Sequence, residues 1–358
     1  MHNGKMIAIA GGISALVVSM AAYGAPSAFG AVHTPMSNPK SHTHTINLGA
    51  GPIKVGSGKL NIAFFSDGST NPYLIAANAA AEHVAKQAHV GLTYFDGDFT
   101  ATTETSQMEQ ALSTGKYNGW AVESSAPDAC RLITEAIKKS ILVSTFNDPQ
   151  CHPSTTQGAK AWIRGTLNYV AGTQSSTVFH KWLTKIVSLN PGPQHVFIET
   201  GPADLAQSHI LIGMFPAVEK KDPTFKITTL PVTAYTTAGA DTIAAGYLTG
   251  HPTTTIVAGE ASTLTLGEID AIKAAGQLRK IKVYDAGGTK KIAEDVKAGI
   301  VQFTTADLPA TESADSVLSI ISAWGGKVGP HYVTVMESRR GKPFFITKSN
   351  VGSYVPQW

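Results

Sequence analysis

Leu60–Phe65 (LNIAFF), followed by Asn71-Pro72-Tyr73, predicts a buried β-strand that leads directly into a helix. A short, continuous apolar run is typical of a strand that is covered on both faces. Asn71 is a good helix cap, and Pro72 suits the first helical position, where a missing N–H costs nothing. The helix should bury one face, because apolar residues then recur at helical spacing: Leu74, Ala77, Ala81 and Val84.

The same strand-then-helix step recurs along the chain. Further strands are predicted at Gly91–Phe95, Gly119–Val122, Ile141–Phe146, His195–Ile198, Phe225–Leu230, Thr255–Ala258, Ile281–Tyr284 and Gly299–Thr305. Alternation at this rhythm favours βαβ units and parallel sheets. We therefore expect an α/β fold of two Rossmann-like halves, about Leu60–Cys151 and Trp162–Thr304, with a final helix and strand returning to the first half.

Length and composition allow two domains and argue against a nucleic-acid partner. The chain has 358 residues, of which 43% are hydrophobic and 15% charged, which suits two cores of ordinary size. The formal net charge is only +3, and no long basic run is present. Binding to a phosphate backbone needs a concentrated positive surface, so we expect no nucleic acid.

The first thirty residues resemble an export signal. Met6–Ala22 is apolar and follows a weakly positive start, and small residues suit cleavage near Gly30. Residues 1–30 are thus predicted to be a signal peptide, and the apolar run is short for a membrane span. No cysteine lies at the cleavage region, so we expect no stable membrane anchor.

Residues 31–59 are rich in Gly, Pro, Ser and Thr and are predicted to be a flexible linker. His33, His42 and His44 could bind a metal, but a solvated linker is the preferred interpretation and no metal site is expected. The two cysteines of the chain, Cys130 and Cys151, could form a disulfide in an oxidising compartment or remain two separate buried thiols.

Ligands of open parallel sheets bind beyond the carboxyl ends of the strands. The residues predicted at those ends are mostly polar and include aromatic rings, a mixture that suits a polyhydroxylated ligand. Each Asp or Asn, taken singly, could equally be a helix cap. The candidate ligand-binding residues are Ser66, Asp67, Asn71, Tyr73, Asn147, Asp148, Tyr235, Glu260, Ser262, Asp285 and Asp307.

The sequence lacks the common catalytic and nucleotide-binding motifs. It contains no Gly-x-Ser-x-Gly elbow, no His-Glu-x-x-His and no phosphate-binding Gly-x4-Gly-Lys-Ser/Thr loop. The Gly-x-Gly pairs at positions 49–51 and 56–58 precede the first strand, whereas a dinucleotide turn follows it. We therefore expect a protein that is not an enzyme and needs no cofactor.

Several short segments, in order and at matching spacing, resemble the type I periplasmic solute-binding proteins of sugar ABC transporters, the ribose-binding-like group. They are Asn71-Pro72-Tyr73, Gln107–Gln110, Tyr117–Trp120, Ser125–Asp128, Leu142–Asn147, Tyr284–Gly287 and Ile346–Val351. The resemblance implies a periplasmic protein that closes two lobes over one ligand and delivers it to a membrane permease. The implied lobes are residues 60–151 with 307–345, and residues 152–306 with 346–358. The implied crossings between the lobes lie near Cys151–Gly165, Thr304–Asp307 and Thr347–Val351.

The departures from the family pattern concern charge. Relatives that bind neutral sugars usually carry an Arg after the fourth strand and another before a Gly, whereas this chain has Asp148 and Ser208-His209-Ile210 there. The hinge position that is commonly Gln is Asp307. Carboxylates in a closed cleft repel one another unless they are protonated or paired. We therefore expect a neutral or cationic small ligand, such as a sugar, a polyol or an amino sugar.

Two other functions remain open at this point. A chemoreceptor or a sensor kinase could use the same closed form as its signal. A secreted hydrolase on an α/β scaffold is the enzyme alternative, although no local motif supports it.

Overall fold

The computed structural model describes residues 43–151, 161–172, 176–202, 205–233, 235–335 and 344–358. The predicted signal peptide, its predicted cleavage region near Gly30, His33 and His42 lie outside the described residues. No described helix is both long and apolar enough to cross a bilayer.

The first lobe is built on a six-stranded parallel sheet in the order β13-β7-β6-β5-β3-β4. Its strands are β3 (Asn61–Ser66), β4 (Gly91–Asp96), β5 (Gly119–Val122), β6 (Leu142–Asn147), β7 (Tyr169–Ala171) and β13 (Tyr332–Thr334). Its helices are α1 (Pro72–Gln87), α2 (Ala101–Thr114), α3 (Ala129–Lys138) and α10 (Pro309–Trp324). The central strands β5 and β6 are buried throughout, as the apolar runs predict.

Helix α1 follows the local chemistry of its first residues. The Asn71 side chain accepts a hydrogen bond from the Tyr73 amide at 2.8 Å, and Pro72 occupies the first turn. The predicted apolar face is buried and includes Leu74, Ala77 and Ala81. The helix thus begins at the mouth of β3 and directs Tyr73 towards the end of the sheet.

The second lobe contains a four-stranded parallel sheet in the order β11-β10-β8-β9. Its strands are β8 (Gln194–Thr200), β9 (Phe225–Pro231), β10 (Ile256–Gly259) and β11 (Lys282–Asp285), and β12 (Phe303–Thr305) pairs antiparallel with β14 (Phe345–Thr347). Its helices are α4 (Ser176–Leu189), α5 (Ala206–Ile212), α6 (Phe215–Lys221), α7 (Thr237–Gly250), α8 (Ser262–Ala274) and α9 (Lys290–Ala298). Helices α5 and α6 are separate, because Pro216 has no N–H to continue the first. The predicted α/β fold of two Rossmann-like lobes is confirmed.

The prediction that residues 31–59 form a flexible linker is wrong for residues 44–55, which form a hairpin. Strands β1 (His44–Asn47) and β2 (Pro52–Val55) form an antiparallel hairpin, whose apolar side chains pack into the core of the first lobe. Ile46, Ile53 and Val55 are at most 8% exposed. The average composition of residues 31–59 concealed the alternation of these side chains, and alternation is what lets a short strand bury one face. His44 donates its Nε2 proton to the Ala323 carbonyl at 3.1 Å rather than meeting a metal.

The lobe boundaries also differ from those implied by the resemblance. The chain does not leave the first lobe near Cys151, because β7 still pairs with β6 in that sheet. The first crossing therefore lies between β7 and α4, and the second lies between β12 and α10. The third lies between β13 and β14 rather than near Thr347–Val351, because β14 already pairs with β12 of the second lobe. A three-residue strand such as β7 is too short to stand out as a pattern.

Cys130 and Cys151 form a disulfide with their Cα atoms 5.4 Å apart. Cys130 lies in the first turn of α3, and Cys151 follows β6. The bond therefore ties the loop beyond β6 to a neighbouring helix of the same lobe, close to Asn147 and Asp148.

Removing this disulfide should lower the free energy of unfolding. The bond closes a loop with a sequence separation of 21 residues. The loss of loop-closure entropy from the unfolded chain corresponds to about 3 kcal/mol. We expect the C130A/C151A double variant to show a loss of roughly 2–4 kcal/mol in urea denaturation.

The reduced wild-type protein is the matched control and should lose a similar amount. An unchanged denaturation midpoint in both the double variant and the reduced protein would show that the bond does not constrain the fold.

Candidate ligand-binding cleft

A cleft lies where the carboxyl ends of the strands of the two lobes meet, as expected for parallel sheets. The space between its walls is about 490 Å³ when counted to its open mouth. The lining residues are Asp67, Asn71, Tyr73, Leu74, Phe99, Glu123, Asn147, Leu205, Gln207, Tyr235, Ala261, Thr263, Asp307 and Trp358. Six of the predicted ligand-binding residues are in this set: Asp67, Asn71, Tyr73, Asn147, Tyr235 and Asp307.

Three polar residues at the ends of neighbouring strands form one wall. Asp67 follows β3 and accepts a hydrogen bond from the Ser125 amide at 2.8 Å. Asn147 ends β6 and donates its Nδ2 proton to Glu123 Oε1 at 2.6 Å. The backbone of Asn147 has φ of 56°, a left-handed conformation that Asn tolerates better than most residues. This conformation carries the amide group to Glu123, which follows β5.

Tyr73 connects this wall to the chain crossings between the two lobes. Its hydroxyl donates to Glu312 Oε2 at 2.5 Å, and Glu312 lies in the first turn of α10, directly after the second crossing. The Glu312 carboxyl also shares a hydrogen bond with Asp307. Gly172 begins the first crossing, and any Cβ there would overlap the same carboxyl. The Glu312 side chain therefore contacts residues at both of these crossings.

The second lobe contributes a Tyr235–Glu260 pair. The Tyr235 hydroxyl donates to Glu260 Oε1 at 2.5 Å and accepts from Gln207 Nε2 at 3.1 Å. Glu260 also accepts from the Ser208 hydroxyl and from the Gly201 amide. A Cβ at Gly201 would overlap the Tyr235 hydroxyl, so glycine is required for this close approach. Glu260 itself stands behind Tyr235 and supports it.

The tail of the chain also reaches the cleft. The Trp358 ring packs edge-on against Tyr73 with ring centres 5.5 Å apart, and its carbonyl accepts from the Lys290 amide at the start of α9. Gln357 donates to the Thr311 hydroxyl at 2.7 Å. The tail thus contacts α1 and α10 of the first lobe and α9 of the second.

Five predicted site residues lie outside the lining. They are Ser66, Asp148, Glu260, Ser262 and Asp285. The Ser66 hydroxyl donates to the Gly68 carbonyl, and the Ser262 hydroxyl donates to Asp285 Oδ2 at 2.9 Å. Asp285 also accepts from the Thr304 hydroxyl and the Gly288 amide, so it organises the loop after β11. Asp148 follows Asn147 and is buried, and its carboxyl group receives no hydrogen bond from any described residue.

Glu123 and Gln207 line the cleft but are not among the predicted ligand-binding residues, although Glu123 follows a predicted strand. Trp358, which lines the cleft, and Glu312, which bonds to Tyr73, are also absent from that prediction, because contacts between distant parts of the chain bring them there. The hydroxyl of Tyr73 and the carboxyl of Glu312 are 239 positions apart in sequence. No local pattern signals such a pair.

The electrostatic character of the cleft is acidic. None of the described lining residues is Lys, Arg or His. Burial, reinforced by Asp67 and Asp148, raises the pKa of Glu123 well above its usual value. Burial, together with Glu260 and Glu104, raises the pKa of Asp148 to about 7. Burial also raises the pKa of Glu260 to about 7, even though its hydrogen bonds favour the ionised form.

Comparison with known proteins gives a consistent family and fold. A family model described as a periplasmic binding protein domain matches residues 62–327. The fold is similar to that of GanP, a glucose-galactose binding protein from Geobacillus stearothermophilus, with a TM-score of 0.67 and 16% identity over 82% of this chain and 99% of that chain. No curated protein matches the sequence at a significant level.

Other solved structures are equally similar. An ABC transporter solute binding protein from Burkholderia graminis C4D1M, in complex with D-arabinose, has a TM-score of 0.70 and 18% identity over 84% of this chain and 99% of that chain. The Caulobacter myo-inositol binding protein, bound to myo-inositol, has a TM-score of 0.66 and 14% identity over 82% and 95%. At these identities the likeness establishes the fold.

The stability of the ligand-free protein should fall as the pH rises from about 4 to about 7. The pKa values of Asp148 and Glu260 are about 7 in the folded protein and ordinary, near 4, in the unfolded chain. Between these pH values the folded state holds more protons than the unfolded chain, so the free energy of unfolding falls as the pH rises, and the loss is complete once the groups are ionised in both states. We expect a decrease of at least about 1.4 kcal/mol, which corresponds to one pKa unit of difference between the two states.

Urea denaturation at a series of pH values measures this decrease. Glu260→Gln should give a shallower profile, because glutamine does not titrate, whereas exposed Glu294→Gln should leave the profile unchanged. A wild-type profile that is flat or rises over this range would contradict the expected proton uptake.

Proposed function

This chain belongs to the periplasmic binding protein domain family, in its type I, sugar-binding group, and from that premise we propose that it is the substrate-binding protein of an ABC importer. It captures a small polar ligand, such as a sugar, a polyol or an amino sugar, and delivers the ligand to a membrane permease. The observation that carries the proposal is the cleft itself. Hydrogen-bonding side chains and aromatic rings from both lobes line one small space between two parallel sheets.

The chemistry of the lining suits such a ligand. Asn71, Asn147 and Gln207 bring amide groups, and Asp67 and Asp307 bring carboxyl groups, all of which pair with hydroxyls. The rings of Tyr73, Tyr235 and Trp358 offer apolar surface to C–H faces. A polyhydroxylated ring presents both kinds of surface, so these residues are the proposed contacts.

The mechanism is hinge closure without bond making or breaking. The chain passes between the lobes both before and after Glu312 in the sequence, and these crossings allow the lobes to move relative to one another. A ligand that contacts both walls binds the closed form more tightly than the open form, and it therefore shifts the equilibrium towards closure. The closed form is then the species that docks on the permease. Export through the predicted signal peptide would place the protein in the periplasm, where solvent-borne sugars are available.

A thermal-shift panel of small sugars, polyols and amino sugars tests the proposal. A member present at a hundredfold excess over its Kd should raise the free energy of unfolding by about 2.7 kcal/mol. X-ray scattering with that member should show a smaller radius of gyration than the free protein. A panel without any stabilising member would count against the proposed function.

Gly201→Ala should weaken ligand binding without a comparable loss of stability. The added methyl group must displace the Tyr235 ring from its position beside Glu260. We expect the Kd of a panel sugar or polyol to rise by roughly tenfold, which corresponds to about 1.4 kcal/mol. Isothermal titration calorimetry measures the Kd.

Gly246→Ala is the matched control, because Gly246 lies within α7 and a Cβ there meets nothing within 4 Å. Its Kd should equal that of the wild type. If the Gly201→Ala and wild-type proteins bind the sugar or polyol with equal affinity, Tyr235 does not contribute to ligand binding.

A further inference from the structure

We propose that the ligand of this cleft carries a positively charged amino group, and that Glu123 is the residue that receives it. The inference rests on the proposed function, since it names the chemical class of the ligand for the same cleft. Hydroxyl groups complete the ligand, which is thus an amino sugar or an amino polyol rather than a neutral sugar.

Glu123 is a buried side chain in the wall of the cleft, and one of its oxygens lacks a partner among the described residues. It is 1% exposed and belongs to the lining. Its Oε1 is already engaged by Asn147 Nδ2 at 2.6 Å, whereas its Oε2 has no hydrogen-bond partner among the described residues. A buried carboxyl oxygen without a donor is costly, so a donor from the ligand is the natural complement.

Two other buried atoms of the lining also lack partners among the described residues. Gln207 Oε1 is an acceptor and, within the described part of the chain, meets no donor. Trp358 Nε1 is a donor that meets no acceptor among the residues that the structure describes. A complementary ligand therefore places hydrogen-bond donors near Glu123 and Gln207 and an acceptor near Trp358. An ammonium group supplies three donors, and a hydroxyl supplies both a donor and an acceptor.

The surroundings of Glu123 select a cation. The groups that interact electrostatically with it come from several elements: Asp67 after β3, Asp148 after β6, Glu312 in α10, Tyr73 in α1 and Tyr94 in β4. All of these are acidic side chains, and within the described residues the only hydrogen bond to the Glu123 carboxyl group comes from the neutral amide of Asn147. With a neutral ligand the Glu123 carboxyl group stays protonated, whereas a cation lets it ionise and pair with the ligand.

The aromatic rings add to this selectivity. Tyr73, Tyr235 and Trp358 all belong to the lining. The face of an aromatic ring attracts a cation, and the attraction is stronger when the pair is removed from water. The rings therefore favour an ammonium group and tolerate the C–H surface of the same ligand.

A neutral sugar is the alternative, and it makes a different thermodynamic prediction. A protonated Glu123 could donate to a sugar hydroxyl, and the carboxyl group would then keep its proton on binding. An ammonium ligand instead pairs with the ionised form, so binding must release a proton near neutral pH. Proton release therefore distinguishes the two ligand classes.

The experiment is isothermal titration calorimetry with matched pairs of probes at pH 7, in buffers of different ionisation enthalpy. The pairs are D-glucosamine with D-glucose, and an amino-deoxy-inositol with myo-inositol; N-acetyl-D-glucosamine is the uncharged control that keeps the nitrogen. We expect at least one amine to bind roughly tenfold or more tightly than its neutral partner. Its binding should release a proton, and the neutral probes should release none.

Glu123→Gln is the matching variant, because glutamine keeps an acceptor for Asn147 and removes the charge. It should lose roughly tenfold in affinity for the amine and little for the neutral partner. Exposed Glu294→Gln should bind as the wild type does. Asp67→Asn provides a second variant, which should weaken amine binding in the same direction, should Glu123→Gln fold poorly.

The outcomes separate the inference from the proposed function. Neutral probes that bind as tightly as their amines, without proton release, would overturn the inference and leave the proposed function standing. Amine binding that Glu123→Gln and Asp67→Asn both leave unchanged would also overturn it. The absence of binding by every probe would count against both.

Discussion

The structure depends on the burial of carboxyl groups between the two lobes without a basic side chain in the described lining. Asp67, Glu123 and Asp148 stand at the ends of three strands of one sheet, and Glu260 stands at the end of a strand in the other. Parallel strands bring such residues together, because all their carboxyl ends open on the same edge. Each buried carboxyl group must then be protonated, hydrogen-bonded or paired with a charge from elsewhere.

The chain satisfies these groups unequally, and the pattern separates support from binding. Asp285 and Glu260 each receive several hydrogen bonds from residues of the second lobe. Both therefore hold backbone or a neighbouring side chain in place. Glu123, in the first lobe, belongs to the lining and retains an oxygen atom without a partner in the described structure. Glu260 thus supports the wall that the second lobe provides, and Glu123 is the carboxyl group of the first lobe that we propose a ligand engages.

Local chemistry made much of this fold predictable, and distance in sequence hid the rest. The apolar run at β3 and the Asn71–Pro72 cap follow from the residues themselves, and they place Asp67 and Tyr73 at the mouth of the sheet. Glu312 and Trp358 reach Tyr73 only through tertiary packing, so no spacing along the chain could reveal them. The β1–β2 hairpin was hidden for a different reason. Its strands are only four residues long, and polar neighbours masked their alternation.

The acidic groups also couple ligand charge to the closure that we propose for the two lobes. The pKa of Asp148, in the first lobe, is raised by burial and next by Glu260 of the second lobe, so the electrostatic interaction between these carboxyl groups crosses the cleft. Repulsion between the two ionised groups grows as the lobes approach, and it therefore opposes closure above the pKa of the pair. A proton on either group relieves the repulsion, and so does a cation held between the walls. Closure thus depends on the charge that the cleft encloses as well as on the contacts that the ligand makes.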